Sequence, residues 1–95
     1  MYAVIFKAEI KRFDAEYDKT ARRMRELAMN EFGCKDFVSC GEDDTEVAIS
    51  YWDSLEQIES WKNHPEHVAA QKRGRERWYK SYKVQVTEIL REYDS

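Results

Sequence analysis

The chain has 95 residues, 16 of them Lys or Arg and 19 Asp or Glu, for a net charge of −3. That length suits one domain, 1–95. The charge lacks the basic excess that binding to nucleic acid requires, and no apolar run approaches the roughly 20 residues that span a bilayer. Aromatic residues make up 14% of the chain, more large side chain than so short a protomer easily hides, which favours a homo-oligomer whose interface completes the core.

Residues 2–10 place Tyr2, Val4, Phe6, Ala8 and Ile10 on one face and Ala3, Ile5, Lys7 and Glu9 on the other, a period-two strand with one strongly apolar side. The same stretch lacks a basic leader region and a small-residue cleavage site, so it is not read as a signal peptide. Asp14 is placed to cap a helix whose stripe is Tyr17, Ala21, Met24 and Leu27 or Ala28, and Phe32-Gly33 ends it. Asp36 to Gly41 reads as a second strand, Glu42-Asp43-Asp44-Thr45 as a polar hairpin turn and Glu46 to Trp52 as a third strand. Cys34 and Cys40 are read into one extended segment, about 20 Å apart and beyond disulfide reach, so reduced thiols and a cytoplasmic location are expected.

Asp53 or Ser54 opens the next helix, with Leu55, Ile58 and Trp61 as its buried stripe; Ser54 and Gln57 have the spacing of a capping box. Pro65 disfavours helical geometry at His64, so a break is expected there, followed by a helical piece to about Tyr79. Lys83 to Arg91 completes the pattern as a fourth strand, with Val84, Val86 and Leu90 on one face. The order βαββαβ predicts a ferredoxin-like α+β domain, a four-stranded antiparallel sheet with both helices on one face. The other face also carries apolar groups, and packing two sheets together would cover them; a homodimer is therefore expected.

Chemistry-bearing side chains gather between Trp61 and Tyr82. His67 lies one helical turn before Gln71, so both can face one cavity. A histidine there suits a base toward a phenol or hydroxyquinone, and equally a structural hydrogen bond. Trp61 reads as core, as pocket wall, or as both. Arg75 stands one turn beyond Gln71, where it either reaches the cavity mouth to favour an anionic phenolate or lies on a solvated face. His64 reads as a turn residue bonding the backbone broken at the proline. His64 and His67 lack a third ligand of fixed placement, so no metal centre is expected. Trp78, Tyr79 and Tyr82 are expected at the helix end or at a dimer interface.

Strand one as AVIF, Tyr51-Trp52, the run WKNHPEHVAAQKRGR from Trp61 to Arg75, Trp78-Tyr79 and Arg91 to Tyr93 together resemble the antibiotic biosynthesis monooxygenase (ABM) domain family over essentially the whole chain. The resemblance implies a dimeric α/β barrel with two sheets packed together. Members of that family include cofactor-independent oxygenases of polyphenolic aromatics, quinol oxidases and haem-degrading enzymes. In the haem-degrading branch a histidine ten residues after the tryptophan ligates iron, and an asparagine on the first strand assists. Here that position is Gln71 and the first strand has no asparagine, so haem degradation is not expected. The resemblance thus points to a cofactor-independent monooxygenase or oxidase of a small electron-rich aromatic. His67 would be its base, Gln71 its hydrogen-bond partner, Trp61 and Phe6 its aromatic walls, and Arg75 would stand at the mouth. The alternatives are a non-enzymatic module binding a small hydrophobic ligand or haem, and a structural dimer with a vestigial cavity.

Overall fold

A computed structural model describes residues 1–95. In chain order it contains β1 (Tyr2–Ile10), α1 (Ala15–Glu31), β2 (Asp36–Glu42), β3 (Thr45–Trp52), α2 (Leu55–Lys62), α3 (Pro65–Arg73), a π-helical turn (Gly74–Trp78) and β4 (Tyr79–Glu88). The strands form one sheet in the order β2-β3-β1-β4, with every neighbouring pair antiparallel. This is the ferredoxin-like arrangement that the alternation of elements predicts.

Local chemistry sets the joints. The Asp14 carboxylate accepts the Tyr17 N–H at 2.8 Å and starts α1. Gly33, at φ 78°, carries the chain out of that helix in a conformation that other residues resist. Ser54 and Gln57 exchange side-chain-to-backbone bonds in a complete capping box at the start of α2. Pro65 opens α3 after α2 has stopped at Lys62, and His64 between them is extended, with ψ 137°.

The strand register decides what lies beneath the helices. Val4 pairs with Ser50 and with Val86, and Phe6 pairs with Ala48 and Val84, so these residues share the helix-facing side. Two buried clusters form there. One joins Val4 and Trp52 to Leu27, Ala28, Cys34, Ile58 and Trp61; the other joins Ala8 and Ile10 to Tyr17 and Trp78. The opposite side of the sheet presents Ala3, Ile5, Val38, Val47, Ile49 and Tyr51. No helix of the chain is long and apolar enough to cross a membrane.

Several expectations shift. β4 begins at Tyr79 rather than Lys83 and ends at Glu88, which leaves Leu90 beyond the strand and 85% exposed. The last helical segment is not uniformly α: from Gly74 the turn widens, and Tyr79 N–H bonds back to Gly74 C=O. Ala21 and Leu55 turn outward, while Ile58 and Trp61 are buried as expected. Cys34 precedes β2 rather than lying in it; its buried thiol donates to Asp36 C=O at 3.1 Å, and burial pushes its pKa up. Both cysteines are free.

Ser50 is the one buried polar residue of the core, and its hydroxyl accepts the Trp52 indole N–H at 2.8 Å. Ser50→Ala strands that donor in an apolar cluster, at an expected cost of about 1–3 kcal/mol in urea denaturation. Adding Trp52→Phe to Ser50→Ala removes the stranded donor, so the second change should cost less there than in the wild-type background. Equal costs in both backgrounds would show that the bond carries no weight.

Candidate functional site

Trp61 is buried, and its indole N–H donates to Met24 C=O at 3.3 Å, which fixes the ring between α1 and the sheet. The Trp52 ring lies 5.2 Å away, and Phe37 meets Trp61 edge-on at 6.1 Å. The His67 imidazole packs edge-on at only 4.3 Å between centroids. Six residues apart on a continuous helix, these two side chains would point about 120° away from each other. The break at Pro65 reorients α3 and brings them together.

The two histidines have different tasks. His64 Nδ1 accepts the Glu66 N–H at 3.1 Å and caps α3, the turn role expected of it. His67 caps nothing. Its Nδ1 is buried and has no hydrogen-bond partner within the protein. Burial, aided by the Lys62 charge, pushes the imidazole pKa down from 6.5 to about 4. At neutral pH the ring is uncharged and a much weaker base than a solvent-exposed histidine. That changes the chemistry expected of it from its near-neutral reference value.

Gln71 follows His67 by one turn and is half-buried. No side-chain hydrogen bond of the chain uses its amide. Below, Phe6 is half-buried at the middle of β1, with the rings of Tyr79 and Tyr82 at 5.4 and 5.9 Å. Tyr79 stands at the helix end, one of the places expected for it, and both it and Tyr82 reach Phe6. Burial pushes the Tyr79 hydroxyl up to about 12, so it stays protonated. The helices leave the β4 side uncovered: Tyr82, Val84 and Val86 share the helix-facing side yet are 38%, 44% and 50% exposed. The result is an open apolar trough along β4, with the rings of Phe6, Tyr79 and Tyr82 at one part of it.

Arg75 lies exposed on the π turn and joins none of the ion pairs. Its neighbours are engaged: Arg73 and Arg77 both reach Glu16, at 3.0 and 3.1 Å, and Arg23 grips Glu66 at 2.7 and 2.9 Å. These pairs tie α3 and the π turn to α1. A separate groove of about 540 Å³ runs between α1 and α3, but Lys19, Arg22, Arg23, Glu26, Glu66 and Arg73 line much of it. Such a charged, open surface does not suit a flat apolar molecule as the aromatic trough does.

A broken helix laid over an antiparallel sheet, with a tryptophan–histidine contact across the break, defines this α+β domain. The chain belongs to the antibiotic biosynthesis monooxygenase family, whose model matches residues 1–73. The π turn and β4 lie beyond the matched residues and supply the fourth strand. The uncharacterized protein YqjZ of Bacillus subtilis is 41% identical over 92 residues, covering 96% of this chain and 81% of that one. In fold the chain is similar to SnoaB, a cofactor-independent oxygenase from Streptomyces nogalater, with a TM-score of 0.82 at 11% identity over 99% of this chain and 97% of that one. A protein of unknown function from Nitrosomonas europaea is similar at TM-score 0.76 and 14% identity, over 99% and 93% of the two chains. At such identities the likeness is one of fold alone.

The depressed proton affinity of His67 has a measurable consequence. Below its ordinary pKa of 6.5 the unfolded chain binds a proton that the folded chain refuses until about pH 4. Stability therefore falls as pH drops through that window, by up to about 3 kcal/mol from this one group. His67→Gln should flatten the fall, measured by urea denaturation at pH 7 and pH 4.5. An unchanged slope would place the imidazole in water.

Proposed function

We propose that this chain is a single-domain, cytoplasmic, homodimeric oxygenase or oxidase. It would act on a small electron-rich aromatic, a phenol or quinol, without a bound cofactor or metal. The observation that carries this reading is the His67 imidazole: neutral, packed on Trp61, free of protein partners at its buried nitrogen, and one turn from an unengaged Gln71 amide. Polar groups without internal partners beside an apolar trough suit a flat ligand bearing oxygen substituents. Membership of the family supports the class of chemistry, as does a fold shared with a cofactor-independent oxygenase.

In this mechanism the substrate carries the redox chemistry. A phenol O–H gives up its proton, and the electron-rich anion passes one electron to O2. The aryloxyl radical and superoxide then combine, or a second electron and proton follow. For a quinol the sum is QH2 + O2 → Q + H2O2; for oxygenation at a ring-activated carbon it is CH2 + O2 → C=O + H2O. His67 is unprotonated at neutral pH and can take the substrate proton. Its weak proton affinity makes it hand that proton on to reduced oxygen, and fits it to acidic phenols and hydroxyquinones, which ionise readily. Gln71 holds the substrate oxygen, Trp61 and Phe6 hold the ring, and Arg75 attracts an anion at the approach.

The dimer in this reading forms by packing the open sheet faces, where Ile5, Val47, Ile49 and Tyr51 of each copy would meet. An obligate interface of this kind buries on the order of 2,000 Å² or more in total. Sedimentation at micromolar concentration should give the dimer mass; a folded monomer would rule that interface out.

A binding module without turnover is the second reading, and the same lowered basicity of His67 favours it. Oxygen uptake separates the two. With 1,4-dihydroxynaphthalene in chelator-treated buffer, the protein should consume oxygen faster than autoxidation alone, and His67→Ala should cut the difference by about 10²- to 10⁴-fold without unfolding the chain. Uptake no faster than in a protein-free control would discard the enzyme.

A further inference from the structure

Gly74 ends α3 with φ −59° and ψ −49°, ordinary helical values that any residue adopts. Its backbone therefore gives no reason for glycine, and apart from proline glycine is the least favourable residue in a helix. The reason is space. A Cβ built on Gly74 would lie 2.7 Å from Tyr79 Cδ2 and 3.1 Å from Cζ, and would overlap Cε2. The Tyr79 ring lies flush against the helix backbone, with Phe6 5.4 Å away from it. The π turn brings it there: the wider loop sends Trp78 inward to donate its indole N–H to Asp14 at 3.3 Å, and returns Tyr79 to Gly74.

We propose that Tyr79 is a ligand-contacting, specificity-determining residue of the trough, and that Gly74 is the positioning residue that admits its ring. This rests on the reading of the trough as a site for a planar aromatic. His67, Gln71 and Gly74 succeed one another along α3, so the two ends of the row stand about 10 Å apart. His67 marks one end and the Tyr79 ring, over Gly74, marks the other. No side-chain hydrogen bond of the chain uses the Tyr79 hydroxyl, and it remains a neutral donor because burial opposes its ionisation. A ligand with oxygens at both ends of its long axis can then engage the imidazole and the phenol together, whereas one with a single oxygen engages only one of them.

Binding of 2,6-dihydroxynaphthalene and 2-naphthol, followed anaerobically by calorimetry, tests this. The wild type should prefer the two-ended probe by about 10-fold, the worth of one neutral hydrogen bond. Tyr79→Phe should erase that preference while still binding 2-naphthol. Gly74→Ala should weaken both probes about 10-fold, but should add nothing in a Tyr79→Ala background, where no ring remains to be displaced. A preference that survives Tyr79→Phe overturns the role of Tyr79, and an equal loss from Gly74→Ala with or without the ring overturns that of Gly74. Should Gly74→Ala fail to fold, Tyr79→Phe decides alone. If His67→Ala weakens binding and the Tyr79 variants do not, the trough stands as a site and this inference falls; if the wild type binds neither probe, both fall.

Discussion

Proline 65 has no backbone N–H, and its ring crowds the residue before it, so the chain cannot run from Trp61 to Gln71 as one helix. The helix stops at Lys62, His64 extends, and a second helix starts at the proline. The geometry of the candidate site follows from that interruption. It rotates His67 onto the edge of Trp61, where an unbroken helix would have separated them. It also occupies the Nδ1 of the nearer histidine, which caps the new helix. One imidazole is spent on the backbone, and the other packs on Trp61 with its Nδ1 unbonded to the protein.

The site built in this way offers dipoles rather than charges. His67 is held neutral by burial, Tyr79 is held protonated by burial, and Gln71 carries no charge at all. The arginines close to it in sequence are engaged or exposed: Arg73 and Arg77 reach the carboxylate of Glu16, and Arg75 is in solvent. Uncharged donors and acceptors beside aromatic rings discriminate by shape and by the positions of oxygen atoms. An environment without a free charge gives little purchase to phosphates or carboxylates.

Much of the scaffold was legible because local rules fix it. Strict alternation gave β1, a carboxylate before an apolar stripe marked α1, a Ser–Gln spacing marked α2, and the proline marked the break. The end of the helical layer was not legible. Trp78 and Tyr79 continue a helical pattern of aromatics, and no 3.6-residue period announces a π turn, so β4 was expected four residues late. Tyr79 was expected at the helix end or at a dimer interface, and it does end the π turn, but its contact with Gly74 was not foreseen. One signal was present: a glycine between Arg73 and Arg75, where the backbone has no use for it, implies a close neighbour. The low basicity of His67 could not be read at all, since it comes from tertiary burial rather than from the residues beside it.

In the proposed reading the free face of His67 looks into a ligand-binding trough. Imidazole signals in a nitrogen–proton correlation spectrum report this directly, because the chain has only two histidines and His64 serves as an internal control. On titration with 2,6-dihydroxynaphthalene, the His67 resonances should move saturably while those of His64 stay in place. Without ligand, the His67 ring should stay unprotonated until the pH approaches about 4. A His67 signal that titrates like an exposed imidazole and ignores the probe would contradict the account.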